Sequence, residues 1–93
     1  MFTDMKYEKD LDILIGLLAK SGEDHWARYF NDALTKYREG KTSSSYKHVL
    51  GAYGGMGSFN DIVLNFISNE EISKIESIRE SLWLYCKEHK TTF

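Results

Sequence analysis

Hydrophobic residues recur every three or four positions along this chain, and the pattern divides into segments that each predict an amphipathic α-helix. The first runs from Tyr7 to Lys20. Leu11, Leu14, Ile15 and Leu18 share one face, and Ile13 and Leu17 broaden it enough to be covered from two sides. Gly22 follows as the stop, where glycine takes the left-handed conformation cheaply. The second runs from Glu23 to Arg38 on a stripe of Trp26, Tyr29, Phe30, Ala33, Leu34 and Tyr37. Its other face carries Asp24, Arg28, Asp32 and Lys36, a row of alternating sign at four-residue spacing that predicts a solvated face laced with weak ion pairs.

The stretch from Arg38 to Ser45 reads as an exposed loop. A third helix begins in the Ser43–Ser45 run, which offers N-caps. It buries Tyr46, Val49, Leu50 and Tyr53 and stops at Gly54 and Gly55, followed by the link Met56-Gly57. From Ser58 a short fourth segment places Phe59, Ile62, Val63, Phe66 and Ile67 at helical spacing, with Ser58 and Asp61 resembling a capping box. A second such pair, Ser68 with Glu71, opens a last helix that reaches His89. Its core side is Ile72, Ile75, Ile78, Leu82, Trp83, Tyr85 and Cys86. The expectation is an all-α fold, a compact bundle of about five helices with a glycine-rich turn between the third and fourth, forming one domain over 1–93.

Composition supports that reading. With 42% hydrophobic and 28% charged residues, the chain has the material for a core and none of the bias of a disordered segment. The net charge of −2 argues against direct nucleic-acid binding, which calls for a basic patch. The N-terminal MFTDMKYEKD has acidic residues where a secretion signal needs basic and then apolar ones. The apolar run from Leu11 to Ala19 is interrupted by Asp12 and is too short to span a bilayer. These features predict a cytoplasmic protein without membrane contact. The single cysteine, Cys86, excludes an intrachain disulfide.

Candidate chemistry is sparse. The glycine cluster Gly51–Gly57 has neither a preceding strand nor the lysine and hydroxyl of a phosphate loop. The glycines are read instead as a structural corner comprising Gly54, Gly55, Gly57, Ser58, Asn60 and Asp61. The alternative reading uses the Gly54–Asp61 turn as an anion or small-molecule site on free amides near Ser58. His25, His48 and His89 show no metal-pair spacing. Cys86 lies on an apolar face and is expected to be a small buried hydrophobe. No enzymatic constellation, metal or cofactor site is predicted. Arg79 falls within the apolar arc of the last helix, with Asp61 or an exposed seam as its compensation. Leu84 points away from that arc, a sign of a contact surface.

The string AYGGMGSFND, Ala52 to Asp61, resembles the signature of a family of small bacterial helical proteins. The upstream GEDHWARYFNDAL resembles the same family's first half. Members of this kind look like immunity proteins found beside bacterial toxins, including contact-dependent growth inhibition systems. The resemblance implies a cytoplasmic inhibitor that binds a cognate toxin domain, often a nuclease, and blocks its active site. Such a protein needs no catalytic residue, and acidic side chains suit a basic nuclease site. The candidate toxin-binding residues are Glu23, Asp24 and Asp32 on the second helix, and Glu70, Glu71, Glu76 and Glu80 on the last.

Overall fold

The computed structural model describes residues 2–53, 65 and 67–89. Within them the chain forms four α-helices and no strand: α1 (Phe2–Lys20), α2 (Asp24–Arg38), α3 (Thr42–Leu50) and α4 (Asn69–His89). The glycine turn Gly54–Asp61 and most of the short helix expected from Ser58 lie outside the described residues; Asn65 and Ile67, at the end of that segment, are described and are not helical.

Each helix packs on its chain neighbour, and α4 returns to pack on α1, so the four close into a ring. Tyr7 near the start of α1 meets Tyr37 at the end of α2, Tyr46 in α3 and Tyr85 near the end of α4. Consecutive helices therefore run antiparallel. In this ring α2 and α4 are diagonal, as are α1 and α3.

The first two connections are short because both helices end in the same way. Gly22 and Gly40 have φ of 84° and 85°. After α1 the Glu23 amide bonds the Leu18 carbonyl at 2.9 Å and the Gly22 amide bonds Ala19 at 3.1 Å. After α2 the Lys41 amide bonds Lys36 at 2.9 Å and the Gly40 amide bonds Tyr37 at 3.0 Å. This paired closure satisfies carbonyls that a helix end otherwise leaves open and reverses the chain within three residues. The loop expected over Arg38–Ser45 is accordingly only Glu39–Lys41. Lys41 is the N-cap of α3 and makes no side-chain cap bond, so the serines do not cap.

Ser45 goes inward instead and is fully buried. Its hydroxyl donates to the Ala33 carbonyl at 2.7 Å, which leaves it to accept from the Tyr7 hydroxyl at 2.7 Å. One serine thus links three helices, and burial holds the Tyr7 phenol well above its ordinary pKa. The sequence TSSSYKHVL is a poor helix former, and nine residues are too few to stand alone. Packing of Ser45, Tyr46 and Val49 holds α3 in place.

The core comprises Leu11, Leu14 and Leu18 of α1, Phe30, Ala33 and Leu34 of α2, Tyr46 and Val49 of α3, and Ile75, Ile78, Leu82 and Cys86 of α4. Each large aliphatic or aromatic side chain so buried contributes roughly 1.5–3 kcal/mol relative to exposure. Ile13, Ile15, Leu17, Trp26, Tyr29 and Tyr37 pack around it half-buried. Besides the start of α3, two further boundaries differ from the periodicity. The α1 helix already begins at Phe2, and a Lys6–Asp10 ion pair of 2.8 Å, one turn apart, reinforces that added length. The α3 helix ends at Leu50 with Gly51 as C-cap, so Tyr53 lies beyond the helix. Tyr53 still reaches inward, and its hydroxyl donates to the Arg79 carbonyl at 2.6 Å.

The start of α4 follows the expected signal. The Glu71 amide donates to the Ser68 hydroxyl at 3.1 Å, and the Glu71 carboxylate accepts from the Ser68 amide at 2.9 Å. This reciprocal pair satisfies two orphan donors of the first turn. No helix among the described residues is long and apolar enough to cross a membrane.

Candidate protein-interaction site

Three regions of the surface carry polar or aromatic groups in unusual density. The first lies where α2 meets α3. The rings of Tyr29 and His48 stack at 4.0 Å, and each residue bonds the other's backbone. The Tyr29 hydroxyl donates to the His48 carbonyl at 2.5 Å, and His48 Nε2 donates to the Tyr29 carbonyl at 2.9 Å. Trp26 stands edge-on to Tyr29 at 5.2 Å. The pair explains the first glycine of the cluster, because a Cβ on Gly51 would lie 2.8 Å from the Tyr29 hydroxyl oxygen. Both polar partners of this arrangement are consumed internally, so it is a structural joint.

The second region is a cavity of about 580 Å³ beside α1, whose lining includes Lys6, Lys9, Asp10, Asp12 and Lys74. Asp10 is nearly buried and accepts from Lys6 at 2.8 Å and from the Ser81 hydroxyl at 3.3 Å, fastening α1 to α4. Arg38, also at its edge, pairs with Glu8 at 2.6 Å. Opposite charges largely neutralise each other here, which leaves little net field for a ligand.

The third region is the outward side of α4. At 100° per residue, Trp83, Glu76, Lys87, Glu80 and Leu84 fall in this order within an arc of about 100°. Trp83 is 39% exposed and Leu84 56% exposed, the largest apolar exposure among the described residues. The Trp83 position corrects its assignment to the core. It follows Leu82 by one residue, and that 100° step carries it to the rim of an arc already filled by Ile75, Ile78, Leu82 and Cys86. The ammonium of Lys87 lies over the Trp83 ring, 5.1 Å from its centroid.

The seven acidic candidates do not form one face. Glu76 and Glu80 are together on this side of α4 and are exposed. Glu71 points elsewhere, bonded to Lys20 at 2.7 Å as well as to its own cap. Lys20 and the Ser68 amide hold its carboxyl below the usual carboxylate range. Glu70 is exposed one residue before it, on the opposite flank of the helix from Glu76. Asp24 and Asp32 are exposed on α2 and Glu23 is half-buried at its N-cap, diagonally across the molecule. Among the described residues no ion pair closes within the α2 row, so the lacing expected of Asp24, Arg28, Asp32 and Lys36 is not formed. Arg79 is half-buried, and the Asp61 pairing considered for it falls outside the described residues. The remaining turn residues Gly54, Gly55, Gly57, Ser58 and Asn60 are likewise outside them.

Cys86 is fully buried, and burial pushes its thiol up to about 12, which removes it as a nucleophile at neutral pH. Among the described residues no three His, Cys, Asp or Glu side chains gather as metal ligands do. Sequence reasoning missed Trp83 and Lys87 as surface residues. The available signal was Leu84, whose outward direction also makes the flank at Trp83 a rim position.

A helical ring with an apolar and acidic outer face on one helix defines, at the level of class, a small all-α domain. Residues 19–73 match the model of a family described as a domain of unknown function, DUF6966. That is more than half of the chain, and the protein belongs to this family. The match takes in α2, α3 and the α4 cap, while Glu76, Glu80, Trp83 and Leu84 lie beyond it. No curated protein and no solved structure matches the chain.

Proposed function

We propose that this protein is an immunity protein, a cytoplasmic inhibitor that binds a cognate bacterial toxin domain, a nuclease, and covers its active site. One observation carries the reading toward binding: the outward side of α4 exposes Trp83 and Leu84 beside Glu76 and Glu80. Exposed tryptophan is costly to leave in water and is enriched at the energetic centres of protein interfaces. Carboxylates around it steer a basic partner and penalise an acidic one. The resemblance of AYGGMGSFND to immunity-type proteins supplies the kind of partner. In this reading the protein acts by occlusion, without catalysis or a cofactor, and its fold includes the short helix after the glycine turn as a fifth element.

Co-purification with the product of the adjacent upstream gene tests the proposal. The expected outcome is a nanomolar complex in which that product's toxic activity is abolished. Absence of binding at micromolar concentration overturns it.

A further inference from the structure

The outward side of α4 differs from the other charged row in a way that specifies its partner. On α2 the signs alternate, Asp24, Arg28, Asp32, Lys36, and the row is balanced in itself. On α4 Glu76 and Glu80 are four residues apart with the same sign, an arrangement that works against the helix. Among the described residues neither takes part in an ion pair. Beside them the exposed Trp83 ring already carries a cation, the Lys87 ammonium at 5.1 Å. The ring face thus already holds a positive charge, and two carboxylates that form no ion pair among the described residues share the same side of the helix.

We infer that this surface is a guanidinium-binding platform, on which an arginine of a partner protein displaces Lys87 and stacks on Trp83 while Glu76 and Glu80 take its charge. Arginine fits better than lysine because a planar guanidinium stacks on an indole and still presents edge N–H groups to carboxylates. Leu84 extends the contact with an apolar margin that excludes water around the charge pair. The inference rests on the binding reading above and deepens it by naming the chemistry of the partner's contact. A basic active-site rim built on arginine is the kind of surface it would cover.

The test uses the full chain and two probes, tetra-arginine and tetra-lysine peptides, followed through the indole N–H resonances of Trp83 and Trp26. The expected result is a saturable shift of Trp83, with Trp26 unmoved, at several-fold lower concentration for tetra-arginine than for tetra-lysine. E76Q/E80Q weakens the response several-fold, and Lys87→Gln, which frees the ring, strengthens it. A Trp83 resonance that stays in place, or a response indifferent to E76Q/E80Q, overturns the platform. The two proposals fail separately. If tetra-arginine titrates Trp83 as described but the neighbouring gene product does not bind, the platform stands and the immunity reading falls. If that product binds and is inhibited with Trp83→Ala and E76Q/E80Q as well as with the wild type, immunity stands and the platform falls.

Discussion

At the scale of single residues, two positions show how close contact and burial set the energetics. Gly51 has a helical φ of −64°, a conformation in which alanine is normally the better residue by about 0.5–1 kcal/mol. Here an added Cβ meets the Tyr29 hydroxyl at 2.8 Å and displaces its bond to the His48 carbonyl. Gly51→Ala is therefore expected to destabilise the protein by about 1–2 kcal/mol. In a Tyr29→Phe background the obstacle is gone, and the same substitution becomes neutral or stabilising. Urea denaturation of the four species measures this coupling, and additive effects would refute it. Cys86 gives the second case. Its thiol is raised from 9.0 to about 12, so the folded state keeps a proton that the unfolded chain releases. The contribution is fully present below pH 9 and is lost as the pH rises toward 12. Stability should fall by about 1.4 kcal/mol per pH unit for this group across that window. Tyr7 and Tyr53, both raised by burial, add to the decline above pH 10. A Cys86→Ala variant shows a shallower slope between pH 9 and 10 in denaturation followed by circular dichroism.

At the scale of elements, the cap of α4 ties local sequence to tertiary structure. Ser68→Ala should cost about 1 kcal/mol by removing one half of the reciprocal cap. Glu71 adds a pH dependence of the opposite sign to that of Cys86. Its carboxyl is lowered by Lys20 and by the Ser68 amide, so its contribution is present above the ordinary carboxylate range and lost as the pH falls through the folded value. The thermal midpoint of the wild type should drop more steeply below about pH 4.3 than that of Glu71→Gln. Equal slopes would place Glu71 outside the cap in solution. The Ser68–Glu71 signal was legible because a capping box is written in adjacent residues. The stripes of α1 and α2 were legible for the same reason, since a period of 3.6 needs no knowledge of partners. The start of α3 was not. Thr42 to Ser45 carries loop-forming residues, and the helix there rests on tertiary packing, in which Ser45 is bonded to Tyr7 and Ala33, 38 and 12 residues away. The end of α3 falls at Leu50 rather than at Tyr53, and the need for glycine at the cap position 51 comes from the Tyr29 hydroxyl, a tertiary neighbour that no local rule reveals.

At the scale of the molecule, the ring of four helices decides which charges can act together. Acidic side chains on α2 and α4 look equivalent in the sequence, but the two helices are diagonal, and their outward rows face opposite ways. A standard interface covers about 800 Å² on each partner, too little to wrap from one row to the other on this domain. The candidate site is therefore only partly legible in the sequence: Glu76 and Glu80 stand out as acidic candidates, while the apolar ring of Trp83 reads as part of the core stripe. Helical angle resolves that error, while the separation of α2 from α4 required the tertiary arrangement. The central claim is that the outward face of α4 is the binding surface. Calorimetric titration of the neighbouring gene product into wild type, Trp83→Ala, E76Q/E80Q and D24N/D32N tests it most directly. Trp83→Ala is expected to weaken binding about 30-fold or more, the mark of an interface hot spot. E76Q/E80Q should weaken it as well and reduce its salt dependence, while D24N/D32N binds within about twofold of wild type. Binding that survives both α4 variants and is lost in D24N/D32N would contradict the account and move the interface to α2.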